Sequence, residues 1–282
     1  MFFFIYKYKI IMLPIKKIYI DSRFKSADSR SDSDFYVTLP QNMLMPDGCG
    51  FYLDDISIPV SWYTIGKDIN DRLYFRINGN EGANIGFETV GFAVVPEGNY
   101  SLVTLNGAIV DELNKHMVDF FVSDPNLKTD TIGIKTDEPI SFEILTDAQL
   151  DSAGFSSTNS RSINKVLRNF TPKVNSNNSP YVSGYVDLVP IRNIYITSSG
   201  LGNFNTMSIS GERAIVKKVP VTAGYGEMIH DQSVIGIDYL DCSKQTLSRL
   251  GFQLKDVFGN TINLNGQHWS FSIVFSRISE IM

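Results

Sequence analysis

Hydrophobic and polar residues alternate with a period of two along most of this chain, as in half-buried β-strands. The run Phe35–Leu39 is typical, because it places Phe, Val and Leu on one face and Tyr and Thr on the other. Turn-forming segments such as Pro46–Gly50 separate such runs. The pattern also predicts strands at Ile15–Ile20, Phe51–Ile58, Leu73–Ile77, Phe87–Val95, Phe120–Val122, Thr131–Ile134, Ile140–Leu145, Tyr185–Val189, Ile191–Thr197, Ala214–Val219, Ser233–Asp238, Leu250–Lys255 and Trp269–Phe275.

One segment has helical spacing instead. Ser101 is a suitable N-cap, and the apolar residues that follow it recur every three or four positions, at Leu102, Leu105, Ile109, Leu113 and Met117. A second, short helix is predicted within Arg161–Phe170. Two strands before the main helix and further strands after it form an α+β unit, which interrupts the all-β texture.

These elements predict a mainly β protein, a single jelly-roll sandwich with an α+β insertion. We assign residues 15–66 and 173–282 to the jelly-roll core, 67–172 to the insertion and 1–14 to an N-terminal arm or extension. With 282 residues the chain has strands for one eight-stranded sandwich and is too short for two. Met12 is an alternative start, which would make residues 1–11 an extension.

Composition and net charge limit the kinds of partner that the chain is expected to bind. The apolar fraction of 43% is that of an ordinary globular protein, and 19 Phe with 13 Tyr favour strands. A net charge of −5 argues against nucleic-acid binding by the whole surface. The N-terminus is the exception, since residues 1–25 carry six Lys or Arg residues and one acidic residue, Asp21. Two interpretations stay open: this basic segment contacts a packaged genome, or it is a solvated terminus. No apolar run reaches the roughly 18 residues of a membrane span.

The sequence offers no pattern that predicts a catalytic, cofactor or metal site. Cys49 and Cys242 are expected to be free core thiols in a reducing compartment. We expect His116 to be a surface residue and His268 a hydrogen-bonded structural imidazole, and neither they nor His230 has a metal-ligand partner nearby in sequence. We therefore expect no zinc site and no cofactor.

Two acidic patterns resemble sites without completing them. The run Asp28–Asp34 resembles a calcium loop, but Arg30 stands where a second carboxylate belongs and the closing Glu is missing. Asp54 and Asp55 are adjacent on a predicted strand, so they should point to opposite faces and not act together as acid and base. Phosphate-binding loops and nucleophile elbows are also missing from the sequence. The chain is therefore expected not to be an enzyme.

Several blocks of sequence resemble one family. They occur in the same order from about residue 15 to 276, and they are Ile18-Tyr-Ile-Asp-Ser-Arg-Phe, Leu53-Asp-Asp-Ile-Ser-Ile-Pro-Val-Ser-Trp-Tyr-Thr, Pro96-Glu-Gly-Asn-Tyr-Ser, Ile194-Tyr-Ile-Thr-Ser-Ser-Gly-Leu, Val219-Pro-Val-Thr-Ala-Gly-Tyr-Gly and His268-Trp-Ser-Phe-Ser-Ile-Val-Phe. Together they resemble the penton, or minor capsid, proteins of Polintons, adintoviruses and polinton-like viruses, and more distantly those of virophages. The segment Met1–Leu13 has no counterpart in this pattern.

The resemblance implies a structural capsid protein of the virion. Such a subunit forms a homopentamer at the fivefold vertices of an icosahedral DNA virus or virus-like transposon, beside a major capsid protein with a double jelly-roll fold. It implies no catalytic residue, and the interface residues are unknown from sequence. Three other readings stay open: a receptor- or carbohydrate-binding attachment β-sandwich, another minor shell or cement component, and a β-rich hydrolase.

Overall fold

The computed structural model describes residues 14–81, 85–116, 121–136, 140–158, 160–173, 180–201, 214–232 and 239–277. Residues 1–13 of the predicted arm, the predicted strand at Ser233–Asp238 and the helix position Met117 lie outside the described residues. Contacts divide the chain into two compact units. The larger unit combines the chain up to Trp62 with the chain from Ile191 onward, and the smaller unit is Tyr63–Pro190.

The fold is mainly β, as predicted, and its strands pair in antiparallel sheets. In chain order the strands are β1 (Pro14–Asp21), β2 (Asp34–Leu44), β3 (Cys49–Pro59), β4 (Arg72–Glu81), β5 (Ile85–Val94), β6 (Val122–Ser123), β7 (Gly133–Lys135), β8 (Ile140–Ile144), β9 (Tyr181–Val182), β10 (Asn193–Ser198), β11 (Ile215–Pro220), β12 (Met228–Asp231), β13 (Leu240–Asp241), β14 (Thr246–Lys255) and β15 (Ser270–Arg277). The helices are α1 (Leu102–Asn114) and α2 (Asn164–Leu167).

The larger unit contains two sheets around one hydrophobic core. The first sheet has the order β1-β15-β3-β12, with β13 also paired to β3, and the second has the order β11-β10-β14-β2. Aromatic rings from both sheets meet in the core: Phe35 and Phe252 come from the second sheet, and Phe271 from the first. The Phe252 ring lies 4.8 Å from the Phe271 ring, and Trp269, just before β15, stacks on Phe271 at 4.7 Å. These large apolar contacts provide much of the driving force for joining the sheets.

Two predicted features of the strands are wrong, and one strand was not predicted. The strand that begins at Asp34 does not stop at Leu39, before Pro40, but continues to Leu44. This is possible because, among the residues described, β2 is the outer strand of its sheet and Pro40 removes no donor that the ladder needs. Tyr185–Val189 is not a strand. Val186 N–H instead donates to the carbonyl of Asp130, while β9 forms earlier in the chain. β12 was not predicted, because in its four residues only Ile229 is buried.

The smaller unit is α+β. Its sheet β5-β4-β8 and its sheet β6-β7-β9 share a hydrophobic core with α1. Ser101 caps α1 as predicted, since its Oγ accepts from the N–H of Thr104 at 3.2 Å and its own N–H donates to Thr104 Oγ1 at 2.9 Å. The predicted domain boundaries, at residues 67 and 172, both lie within Tyr63–Pro190, and they stay a prediction.

A buried ion pair ties together distant parts of the smaller unit. Asp71 is 1% exposed and accepts two hydrogen bonds from Arg161, at 2.9 Å from Nε and 2.5 Å from Nη2. Its carboxylate also accepts from the N–H of Asp68 at 3.0 Å. Burial alone would raise the pKa of Asp71, but these donors outweigh it and the pKa lies below its usual value.

We predict that Asp71→Asn lowers the stability of the smaller unit in a pH-dependent way. A depressed carboxyl pKa stabilises the fold above the unfolded value of about 4, and this contribution is lost as the pH falls through the folded value. The substitution should cost about 1–3 kcal/mol at pH 7, because a charge-assisted buried contact is lost. Hydrogen exchange of the α1 amides measures the stability of the smaller unit. The loss of stability in Asp71→Asn relative to wild type should shrink below about pH 4. A deficit that is constant from pH 7 to pH 3 would contradict this assignment.

Candidate assembly surfaces

Of the three histidines, His116 belongs to the smaller unit, and His230 and His268 belong to the larger unit. His116 is exposed, as predicted, with its ring 5.5 Å from that of Phe75. His268 is hydrogen-bonded, as predicted, since its Nδ1 lies 3.1 Å from Asp32 Oδ1 and 3.4 Å from Ser22 Oγ. Across the part of the chain that the structure describes, no group of three or more His, Cys, Asp or Glu side chains is placed to hold a metal ion.

The acidic run Asp28–Asp34 is neutralised by basic side chains. The three pairs are Asp28 with Arg249, Asp32 with Lys25 at 2.5 Å, and Asp34 with Arg30 at 2.7 Å. The indole N–H of Trp269 also donates to the carbonyl of Asp32 at 2.8 Å. The Asp28–Arg249 pair and the Trp269 hydrogen bond therefore join this run to the rest of the larger unit, whereas the other two ion pairs are local.

Asp54 and Asp55 do not point to opposite faces as predicted. β3 carries one extra residue opposite β15 here, because Ser270 pairs with Ser57 while Ser272 pairs with Asp54. Asp55 adopts a left-handed backbone with φ +49° at this bulge. Both carboxylates consequently reach the same ammonium group, and Lys17 Nζ lies 2.5 Å from Asp55 and 3.7 Å from Asp54. This ion pair lowers the pKa of Asp55 and fastens the outer strand β1 to the sheet.

A small cleft lies on the second sheet. It has a volume of about 130 Å³, and its lining includes Asp34, Tyr36, Ser198 and Gln253. Asp34 is the one carboxylate in this lining, and it is already paired with Arg30. The paired acid and base that a hydrolase would need do not converge in this cleft.

The outer strands of the two sheets differ in what they expose. In the second sheet β2 carries Pro40 and a bulge, and β11 carries Lys218 and Pro220. Prolines, lysines and bulges discourage strand addition at an edge. In the first sheet β1 and the turn after it instead present Phe24 and Tyr19, which are 79% and 76% exposed and have the highest exposure among the large apolar side chains described.

The opposite edge of the first sheet has a different surface. We define the β1 edge as Lys17, Tyr19 and Phe24, and the β12 edge as Tyr225, Glu227 and Met228. Tyr225 is 47% and Met228 44% exposed, and Glu227 is exposed beside them. Because β1 and β12 are the outer strands in the order β1-β15-β3-β12, these two apolar surfaces lie at opposite sides of one sheet. Exposed apolar residues rimmed by charge are typical of protein contacts.

Sequence reasoning missed both edges. The signal for the β1 edge was present, because Tyr19 falls at the outward position between Ile18 and Ile20. The β12 edge had no such signal, since β12 is short and follows a glycine-rich turn.

Comparisons with known proteins identify a solved structure with a similar fold. Neither a protein-family model nor a curated protein matches the sequence. The structure is similar to the crystal structure of the penton protein of mavirus, with a TM-score of 0.51 and 13% sequence identity. The match covers 93% of this chain and 100% of that chain. The chain therefore has the mainly β, jelly-roll type of fold that this viral penton has.

Among the residues described, no helix combines the length and the apolar character needed to cross a membrane.

We predict that Asp55→Gly is more stable than Asp55→Ala by about 1 kcal/mol, because glycine adopts a left-handed backbone without the steric cost of a Cβ. Both substitutions remove the contact with Lys17, so the difference between their free energies of unfolding reports the backbone conformation at residue 55 alone. Urea unfolding followed by tryptophan fluorescence measures it, since Trp62 and Trp269 both belong to the larger unit. Ser57, two residues along β3, is the matched control, and there the alanine variant should be more stable than the glycine variant. Equal stabilities of the two Asp55 variants would argue against the bulge.

Proposed function

We propose that this chain is a penton subunit, which forms homopentamers at the fivefold vertices of an icosahedral DNA virus or virus-like transposon. The observation that carries the proposal is the fold shared with a viral penton protein over 93% of this chain. The sequence blocks that resemble pentons of Polintons and adintoviruses support it separately. Four sister copies and a double jelly-roll major capsid protein would be its partners, and the virion its location. In this role it works by packing and not by catalysis.

A ring of five identical subunits needs two different surfaces on each copy. Its contacts are heterologous, so a patch on one subunit meets another patch on the next, and the rotation must close. The β1 edge and the β12 edge meet this requirement, because they are distinct, partly apolar and at opposite sides of one sheet. We propose that the β1 edge of one subunit contacts the β12 edge of its neighbour.

We predict a mass of about 158 kDa, five times the 31.6 kDa chain, for the assembled protein in light scattering. Tyr19→Asp and Met228→Asp should each shift it toward the monomer, because either change places an unpaired charge in the proposed contact. Leu44→Asp is the matched control, since Leu44 is 73% exposed on β2 of the second sheet. Urea unfolding should show that all three variants keep the stability of wild type.

Different outcomes exclude different parts of this proposal. A trimer would favour the attachment β-sandwich, and a chain that binds only to preassembled shells would favour a cement component. A pentamer that survives Tyr19→Asp and Met228→Asp would leave the penton assignment intact and exclude these two edges. Electron microscopy of shells co-expressed with the major capsid protein then tests whether the chain occupies the vertices.

We also propose that the basic arm, residues 1–14, faces the packaged genome. Its lysines, Lys7 and Lys9, contrast with the net charge of −5 for the whole chain. Binding of DNA through two phosphates predicts that Lys7→Gln combined with Lys9→Gln lowers the slope of log affinity against log salt by about 2. Titrations between 50 and 200 mM salt, values at which phosphate contacts weaken strongly, measure the slope. Lys128→Gln with Lys173→Gln is the control, because both lysines lie in the smaller unit. An unchanged slope would exclude contact between the arm and DNA.

A further inference from the structure

Two cysteines that are far apart in sequence lie side by side in the core of the larger unit. Cys49 is the first residue of β3, and Cys242 directly follows β13. The register between these strands pairs Asp241 with Gly50, which places Cys242 opposite Cys49. The N–H of Cys242 donates to the carbonyl of Cys49 at 2.9 Å, and the two Sγ atoms are 3.7 Å apart. Both residues are free thiols and fully buried, so they are core thiols as predicted.

The backbone at this pair has the spacing that a disulfide needs. In an antiparallel ladder, residues joined by a hydrogen bond have Cα atoms about 5.5 Å apart. This separation lies within the usual range for disulfides, about 4.4–6.8 Å. The sulfur atoms are already in contact at 3.7 Å, and rotation of both side chains with a small shift of the two-residue strand β13 would bring them to the bonding distance of about 2.05 Å.

We propose that Cys49 and Cys242 form an oxidation site, which a small-molecule disulfide of the glutathione type converts into an intramolecular disulfide. This inference concerns the chain itself and does not rest on the proposed function. It adds a covalent link at a position where the structure shows two free thiols.

The reaction balances in two exchange steps. The Cys242 thiolate attacks one sulfur of glutathione disulfide, the S–S bond of that molecule breaks, and the first glutathione leaves as a thiolate and takes up a proton. The Cys49 thiolate then attacks the Cys242 sulfur of the mixed disulfide, and the second glutathione leaves in the same way. Two cysteine thiols are oxidised, one glutathione disulfide is reduced to two thiols, and the two cysteine protons end on those thiols.

The surroundings make this oxidation slow and its product durable. Burial raises the pKa of both thiols, so few thiolates are present in the closed protein. The buried Met45 adds a third sulfur beside the pair, with Sδ 3.9 Å from Cys49 Sγ. β13 has only two residues and is followed by the exposed Lys244, so its local opening is the easiest route by which an oxidant reaches Cys242. Once the strand closes again, the disulfide is shielded from reductants.

The link would restrain a large part of the unfolded chain. The two cysteines are 193 residues apart, and the segment between them contains the whole smaller unit. Closing a long loop removes much of the conformational entropy of the unfolded state, and the stabilisation grows with loop length.

The full-length protein, incubated with oxidised glutathione in sub-denaturing urea, tests the proposal. We expect wild type to lose both titratable thiols, to lose two hydrogens in intact mass and to gain about 5–15 °C in Tm, all reversed by dithiothreitol. Cys242→Ala and Cys49→Ala are matched controls, and neither should gain Tm. Two thiols that persist in wild type would overturn the proposal, and so would glutathione adducts or disulfide-linked dimers as the sole products. Because the readout is the covalent state of one chain, it is independent of pentamer formation.

Discussion

The packing of aromatic rings between the two sheets of the larger unit is the contact on which the rest of this structure depends. Phe252 of the second sheet packs against Phe271 of the first, and Phe35 packs against Phe252 and against Trp269, which stacks on Phe271. Because these rings come from β2, β14 and the start of β15, they fix the sheets relative to each other within the unit. The strand edges and turns that would meet sister copies are held by this core.

The period-two pattern was sufficient to predict most strands, since each strand with one buried face must alternate. It failed where a strand does not need that alternation. β12 contributes Ile229 alone to the core, and β2 tolerates Pro40 because its outer side has no partner strand among the residues described. At Asp54 and Asp55 the bulge breaks the alternation itself, and a bulge depends on the register with β15, which lies more than 200 residues further along the chain.

The sequence also could not predict which residues, far apart along the chain, lie close together in the fold. The widely spaced Cys49 and Cys242 were correctly expected in the core, but their contact follows from the pairing of β13 with β3. The same holds for the β1 and β12 edges, which are surfaces only because of the strand order in the first sheet. The resemblance in sequence blocks indicated the class of fold, and the geometry then defined which surfaces that fold leaves exposed.

The position of β15 has a consequence for synthesis on the ribosome. β15 lies between β1 and β3, so the first and last strands of the larger unit are direct neighbours although nearly the whole chain separates them. The first sheet cannot close until β15 has left the exit tunnel, whereas every residue of Tyr63–Pro190 has emerged well before β15. Domains generally fold as units in the order of their synthesis, and contacts between distant residues form slowly. Until β15 inserts, β1 and β3 remain unpaired at the site it will occupy, and the nascent protein needs protection there from aggregation.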